Sequence, residues 1–237
     1  MHAQAQRFTS VLMASAAVVV SAGCSANPAP VAPLTSGATP SSSPEQSIDE
    51  NPGSSAAPAP TSKPVTFAAV GDSITAANSS EFAPGKIGSR SWVSHVGSGA
   101  KFAGGWALGG ARSAAMAENV KDIEADVLVI LAGTNDVYND VPFEQSAGNL
   151  VRIAEKVGAP KVLVSAIPPI DYDPESSVRF NHQLRQFAQS RGWLFVDPMA
   201  GVREGDRFAS GMTTDGVHPT EAAAQVIGEA LGKAITG

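Results

Sequence analysis

One cysteine, Cys24, occurs in the whole chain, so no internal disulfide can form. Charged residues are also scarce, at 16%, and the formal net charge is −6. No basic cluster interrupts this acidic balance, so a nucleic-acid partner is not expected. Neither a Walker A sequence nor Gly-x-Gly-x-x-Gly is present, which removes the phosphate- and dinucleotide-binding loops of those types. No metal-ligand spacing stands out, and no cofactor is expected. Gly-x-Ser-x-Gly is missing too, so a nucleophile elbow is not indicated. The apolar stretch Val11–Val20 is too short to span a bilayer in a mature protein. What remains is a chain of 237 residues, 43% hydrophobic, which is enough for a sizeable core in one or two domains.

The first 24 residues carry one cation, Arg7, then Val11–Val20, then Ser21-Ala22-Gly23-Cys24. This order fits a signal peptide. Its end resembles the lipobox of bacterial lipoproteins, with Ser21 where leucine is usual. The resemblance implies that Cys24 becomes the new N-terminus and carries a diacylglyceryl group. The protein is then expected to be exported and held on the outer face of the cell membrane or in the envelope, or secreted if Cys24 stays unmodified. Two acyl chains anchor stably where one does not. Residues 25–64 hold nine Pro and nine Ser in 40 positions and no aromatic residue. Such a segment buries too little apolar surface to fold and reads as a semi-extended tether.

Residues 65–237 read as one domain. Apolar runs lie at 65–70, 127–132, 162–167 and 194–196, with a weaker one around 102–108. They do not alternate with polar residues, so both sheet faces should be covered, as in a parallel sheet. Helical stretches are expected near 90–98, 112–122, 143–157, 177–191 and 221–235. Strands alternating with helices predict a doubly wound, flavodoxin-like α/β domain with a five-stranded parallel sheet. Three strand ends carry polar or glycine-rich groups: Gly71-Asp72-Ser73, Gly109-Gly110-Ala111 and Gly133-Thr134-Asn135-Asp136. A fourth group, Asp215-Gly216-Val217-His218, precedes the last helix. In such sheets these ends converge on one edge, where ligands bind.

These four groups, in this order, resemble the blocks of the SGNH (GDSL) hydrolase family. Gly71-Asp72-Ser73-Ile74-Thr75 is similar to the first block, and Leu108-Gly109-Gly110-Ala111 to the second. Gly133–Asp136 is similar to the third, and Asp215–His218 to the Asp-x-x-His block. The second block often has an asparagine upstream, and Gly105 or Trp106 stands there. The resemblance implies the SGNH hydrolase fold, a Ser73–His218–Asp215 triad and carboxylic ester hydrolysis. It also implies an oxyanion hole from Ser73, Gly110 (with Gly109 as the alternative) and Asn135.

The chemistry suits these residue types. A serine hydroxyl needs a base within hydrogen-bond reach. His218 is the only histidine with a carboxylate three residues earlier, and Asp215 can fix its tautomer. A neutral amide such as Asn135 donates to an oxyanion without titrating. Asp72 and Asp136 read as loop braces, His95 and His182 as surface or half-buried groups in helical stretches, and Trp92, Trp106 and Trp193 as core. Trp106 is the tryptophan to test for substrate contact, and Pro168-Pro169 reads as a rigid loop on the active edge. The expected substrate is a small acyl ester on an envelope glycan or lipid, handled by a monomer that touches the membrane only through Cys24. Two other readings use the same residues: acyl transfer to a sugar, and a non-catalytic glycan-binding module on a tether.

Overall fold

The computed structural model describes residues 63–237. The expected signal peptide, Cys24 and nearly all of the 25–64 tether lie outside the described residues. Five strands form the main sheet: β1 (Val65–Gly71), β2 (Ala100–Ala107), β3 (Val127–Leu131), β4 (Lys161–Ser165) and β5 (Leu194–Val196). Their order is β2-β1-β3-β4-β5, and every pair is parallel. This is the flavodoxin-like order, with its topological switch between β1 and β3.

The sheet is covered on both faces because its strands are apolar on both. All five residues of β3 are buried. Alternate side chains go to opposite sides. Phe67, Val127, Val129 and Leu131 pack with Trp92 and with Ile227, Leu231 and Ile235 of α6 (Glu221–Thr236). Ala68, Val70, Leu128 and Ile130 pack on the other side with three helices. Those are α2 (Ser113–Asn119, through Met116), α4 (Phe143–Val157, through Leu150 and Ile153) and α5 (Pro174–Ser190, through Leu184). Each such Leu or Ile contributes about 1.5–3 kcal/mol through burial. Helix α4 forms because Ala147, Leu150, Ile153 and Val157 recur on one face. Asp173 caps α5 and Thr220 caps α6, each accepting from the backbone N–H of the third residue of the helix.

Two short helices follow strand ends: α1 (Ser73–Ala76) after β1 and α3 (Thr134–Tyr138) after β3. Neither was predicted. The helix expected at 90–98 is instead a single 3₁₀ turn, Trp92–His95. Ser91 caps it, and Gly97 at φ +79° ends any continuation. Helix α2 stops at Asn119 rather than 122, because Val120 is already extended. A two-stranded hairpin, β6 (Arg203–Glu204) and β7 (Arg207–Phe208), also went unpredicted. Among the described residues no helix is long and apolar enough to cross a membrane.

Candidate active site

The centre of the site is the turn from β1 into α1. Gly71 ends β1 where the chain passes very close to its neighbours. A methyl group there would lie 2.7 Å from the Leu131 carbonyl oxygen and closer still to Thr75 Oγ1, so only glycine fits. Asp72 caps α1, its Oδ1 accepting from the Ile74 N–H at 3.0 Å. Thr75 is tied to the 91–92 segment: its Oγ1 accepts from the Trp92 indole N–H at 3.1 Å and its carbonyl from the Ser91 hydroxyl. Ser73 is therefore held from both ends of its short helix and remains half-buried.

Strand order sets the flanks. Because β1 lies between β2 and β3, the loops after those two strands stand on either side of Ser73. After β2, Leu108–Ala111 form a tight turn in which the Ala111 N–H donates to the Leu108 carbonyl at 3.1 Å. Gly110 takes φ +73°, which favours glycine. A Cβ on Gly109 would lie 3.9 Å from the Ser73 Cβ, so this glycine runs alongside the serine. Among the described residues the N–H groups of Ser73, Gly109 and Gly110 donate to no protein acceptor. After β3, Asn135 sits half-buried on α3, with its amide near the Asp72 carboxyl.

The third side is the loop before α6. Ser73 Oγ lies 2.9 Å from His218 Nε2, and His218 Nδ1 lies 2.7 Å from Asp215 Oδ2. Asp215 Oδ1 accepts from the backbone N–H of Val217 at 3.0 Å and of His218 at 2.8 Å. The His218 carbonyl accepts from the Thr214 N–H and the Thr213 hydroxyl, both at 2.9 Å. One loop thus presents the imidazole and the carboxylate in a fixed relation. Partial burial would raise the Asp215 carboxyl. The hydrogen bonds from the His218 N–H, the His218 ring and the Val217 N–H outweigh it and hold the group below its ordinary value. An ionised Asp215 only accepts, so Nδ1 carries the ring proton. Nε2 of the neutral ring is then the acceptor and the Ser73 hydroxyl the donor.

Ser73, Ile74, Ala77, Arg90, Thr214, Asp215, His218 and Pro219 line a cleft of about 270 Å³. Trp106 is not among them; it packs half-buried against the Val70 and Met116 cluster. Pro169 and His182 open on a separate cleft beside Phe195 at the β4–β5 edge. His95 is half-buried, with Nε2 against the Ser89 carbonyl. Asp136 is buried, and both its oxygens lie 3.2 Å from the Ser113 N–H, bracing α3 against α2. Among the described residues no group of three or more His, Cys, Asp or Glu is placed to hold a metal.

The buried Asp72 carboxyl is pushed up to about 6. Burial is the main cause. The Ile74 N–H opposes it in part, as would a positive charge on His218; Asp136 adds to it, and the Asn135 amide lowers it slightly. Unfolded, this carboxyl titrates near 3.8. The folded protein then binds the extra proton between those values, so stability falls as pH rises from about 4 to about 6, by about 3 kcal/mol at most. Asp72→Asn keeps an acceptor for the Ile74 N–H. It is expected to flatten the pH dependence of urea unfolding across that window; an unchanged slope would contradict this.

A family model, GDSL-like Lipase/Acylhydrolase, matches residues 69–226, more than half of the chain. No curated protein matches the sequence. Solved structures of similar shape include a GDSL-like lipase from Bacteroides thetaiotaomicron. It is 22% identical with a TM-score of 0.56, and the match covers 72% of this chain and 87% of that one. A member of the lipolytic G-D-S-L family from Veillonella parvula is 21% identical with a TM-score of 0.57, covering 70% and 96%. A carbohydrate acetylesterase from Sinorhizobium meliloti is 19% identical with a TM-score of 0.52, covering 72% and 98%. With its switch-point serine, Asp-x-x-His loop and family match, the chain belongs to the GDSL-like lipase/acylhydrolase family.

Proposed function

We propose that this protein is an exported serine esterase that removes short acyl groups from envelope glycans or lipids through Ser73, His218 and Asp215. The observation that carries the reading is the continuous hydrogen-bonded chain from Asp215 through His218 to Ser73, at 2.7 and 2.9 Å. The Ser73 oxygen attacks the ester carbonyl carbon while His218 Nε2 takes its proton. The carbonyl oxygen becomes an oxyanion, met by the N–H groups of Ser73 and Gly110 (or Gly109) and by the Asn135 amide. On collapse the bond to the alcohol oxygen breaks, and that oxygen takes the proton from His218. His218 then deprotonates a water, which attacks the acyl-serine and releases the acid. The proton returns to Ser73.

The size of the cleft supports small acyl groups. At about 270 Å³ it is below the range that buries a drug-sized ligand, and Ile74 and Ala77 supply short apolar walls. In a chain-length series of esters of one alcohol, kcat/KM is expected to peak at acetyl to butyryl and to fall tenfold or more by octanoyl. A preference for the long esters would contradict this part of the reading. Export and anchoring at Cys24 rest on the sequence of the first 24 residues. Partition of the full chain with membranes, lost on Cys24→Ala, is the readout for them.

A further inference from the structure

The chain has only two tyrosines, Tyr138 and Tyr172, and they stand side by side with relative exposures of 69% and 62%. Their rings meet edge to face, with centroids 6.5 Å apart at 86°. Both positions are tied to the site. Tyr138 ends α3 three residues after Asn135, so the two share a helix face. Tyr172 follows Asp171, whose N–H donates to the Gly216 carbonyl at 2.9 Å, inside the loop that carries Asp215 and His218. The Tyr172 phenol is held above its ordinary value, first by burial, then by Tyr138, Asp173 and Asp215, which sets it within the field of the triad carboxylate. The pair thus lies between the helix that carries Asn135 and the loop that carries Asp215, just outside the residues that line the Ser73–His218 cleft.

Nothing in the core requires these rings. Trp92 and Phe67 are almost fully buried, whereas both tyrosines leave most of their surface to solvent. Each offers an apolar face and a hydroxyl within one rigid side chain. A pyranose has the matching character: C–H faces that are apolar and a rim of hydroxyls. An acyl chain would call for continuous aliphatic walls, and the rim here is aromatic and polar. The alcohol oxygen takes its proton from His218, and Tyr172 adjoins the loop that carries His218 through the Asp171–Gly216 hydrogen bond.

We propose that Tyr138 and Tyr172 form a platform on which the sugar ring of the ester's alcohol part rests. This deepens the hydrolase reading above and depends on it for turnover. The probes are methyl 6-O-acetyl-glucopyranoside and ethyl acetate, with acetate release as the readout. In Tyr138→Ala/Tyr172→Ala the ratio of kcat/KM for the sugar ester to that for ethyl acetate is expected to fall about tenfold. Tyr138→Phe/Tyr172→Phe should retain most of the ratio, because stacking survives. A ratio within twofold of wild type in the alanine variant would overturn the platform. Binding of the sugar ester to the Ser73→Ala protein, followed by calorimetry, gives a readout free of turnover. Adding the alanine pair should weaken it about tenfold, and absent or unchanged binding would overturn the platform. Failure of the wild type to hydrolyse either ester would instead overturn the hydrolase reading alone.

Discussion

Ser73→Ala is expected to lower kcat for ester hydrolysis by roughly 10⁴- to 10⁶-fold. The size follows from what the hydroxyl does. In the proposed mechanism it is the atom that forms the covalent bond, and it lies 2.9 Å from His218 Nε2. A variant without it retains only binding and the oxyanion donors, which account for a small residue of catalysis. Folding should survive, because Ser73 is half-buried and the braces of its helix are Asp72 and Thr75. Unfolding in urea should therefore match wild type. Turnover within tenfold of wild type would remove Ser73 from the chemistry.

Asp215→Asn should cost about 10⁴-fold in kcat while leaving the loop in place. The two oxygens of Asp215 do different work. Oδ1 accepts from the backbone N–H groups of Val217 and His218, and an asparagine oxygen can do the same. The amide nitrogen is then left facing His218 Nδ1, where it can only donate. The ring must turn its acceptor nitrogen toward residue 215, so Nε2 carries the proton and no longer accepts from Ser73. His218→Ala would test the base more crudely, since it also empties the cleft wall. An Asp215→Asn variant with a normal kcat would show that His218 keeps its tautomer by other means.

The sheet was legible because its strands are apolar on both faces. The runs at 127–132 and 194–196 fell on β3 and β5 with at most one residue of difference, and the α4 periodicity gave 143–157 to the residue. Residues 90–98 misled because Trp92, Val93 and Val96 are spaced as on a helix face. Glycines nearby and the pull of Trp92 toward Thr75 reduce the segment to one turn. Helices α1 and α3 are too short, at four and five residues, to leave a periodic signal. Ser73, Asn135, Asp215 and His218 are legible through the resemblance of their four short stretches to the family blocks, and the structure brings Ser73 and His218 within 2.9 Å and Asn135 beside Asp72. Tyr138 and Tyr172 carried no such mark. They are 34 positions apart, and only the β3 and β4 ends bring their rings together. Trp106, read as core and singled out for a substrate test by its place near Gly109-Gly110, is core: strand β2 turns it into the packing beside Val70.

The most direct test of the triad is to treat the protein with a fluorophosphonate and map the adduct by mass spectrometry. An activated Ser73 beside His218 should take one phosphonyl group per chain, on the peptide that contains Gly71-Asp72-Ser73, and Asp215→Asn should slow its formation. No adduct, or an adduct elsewhere with the Ser73 peptide unmodified, would contradict it.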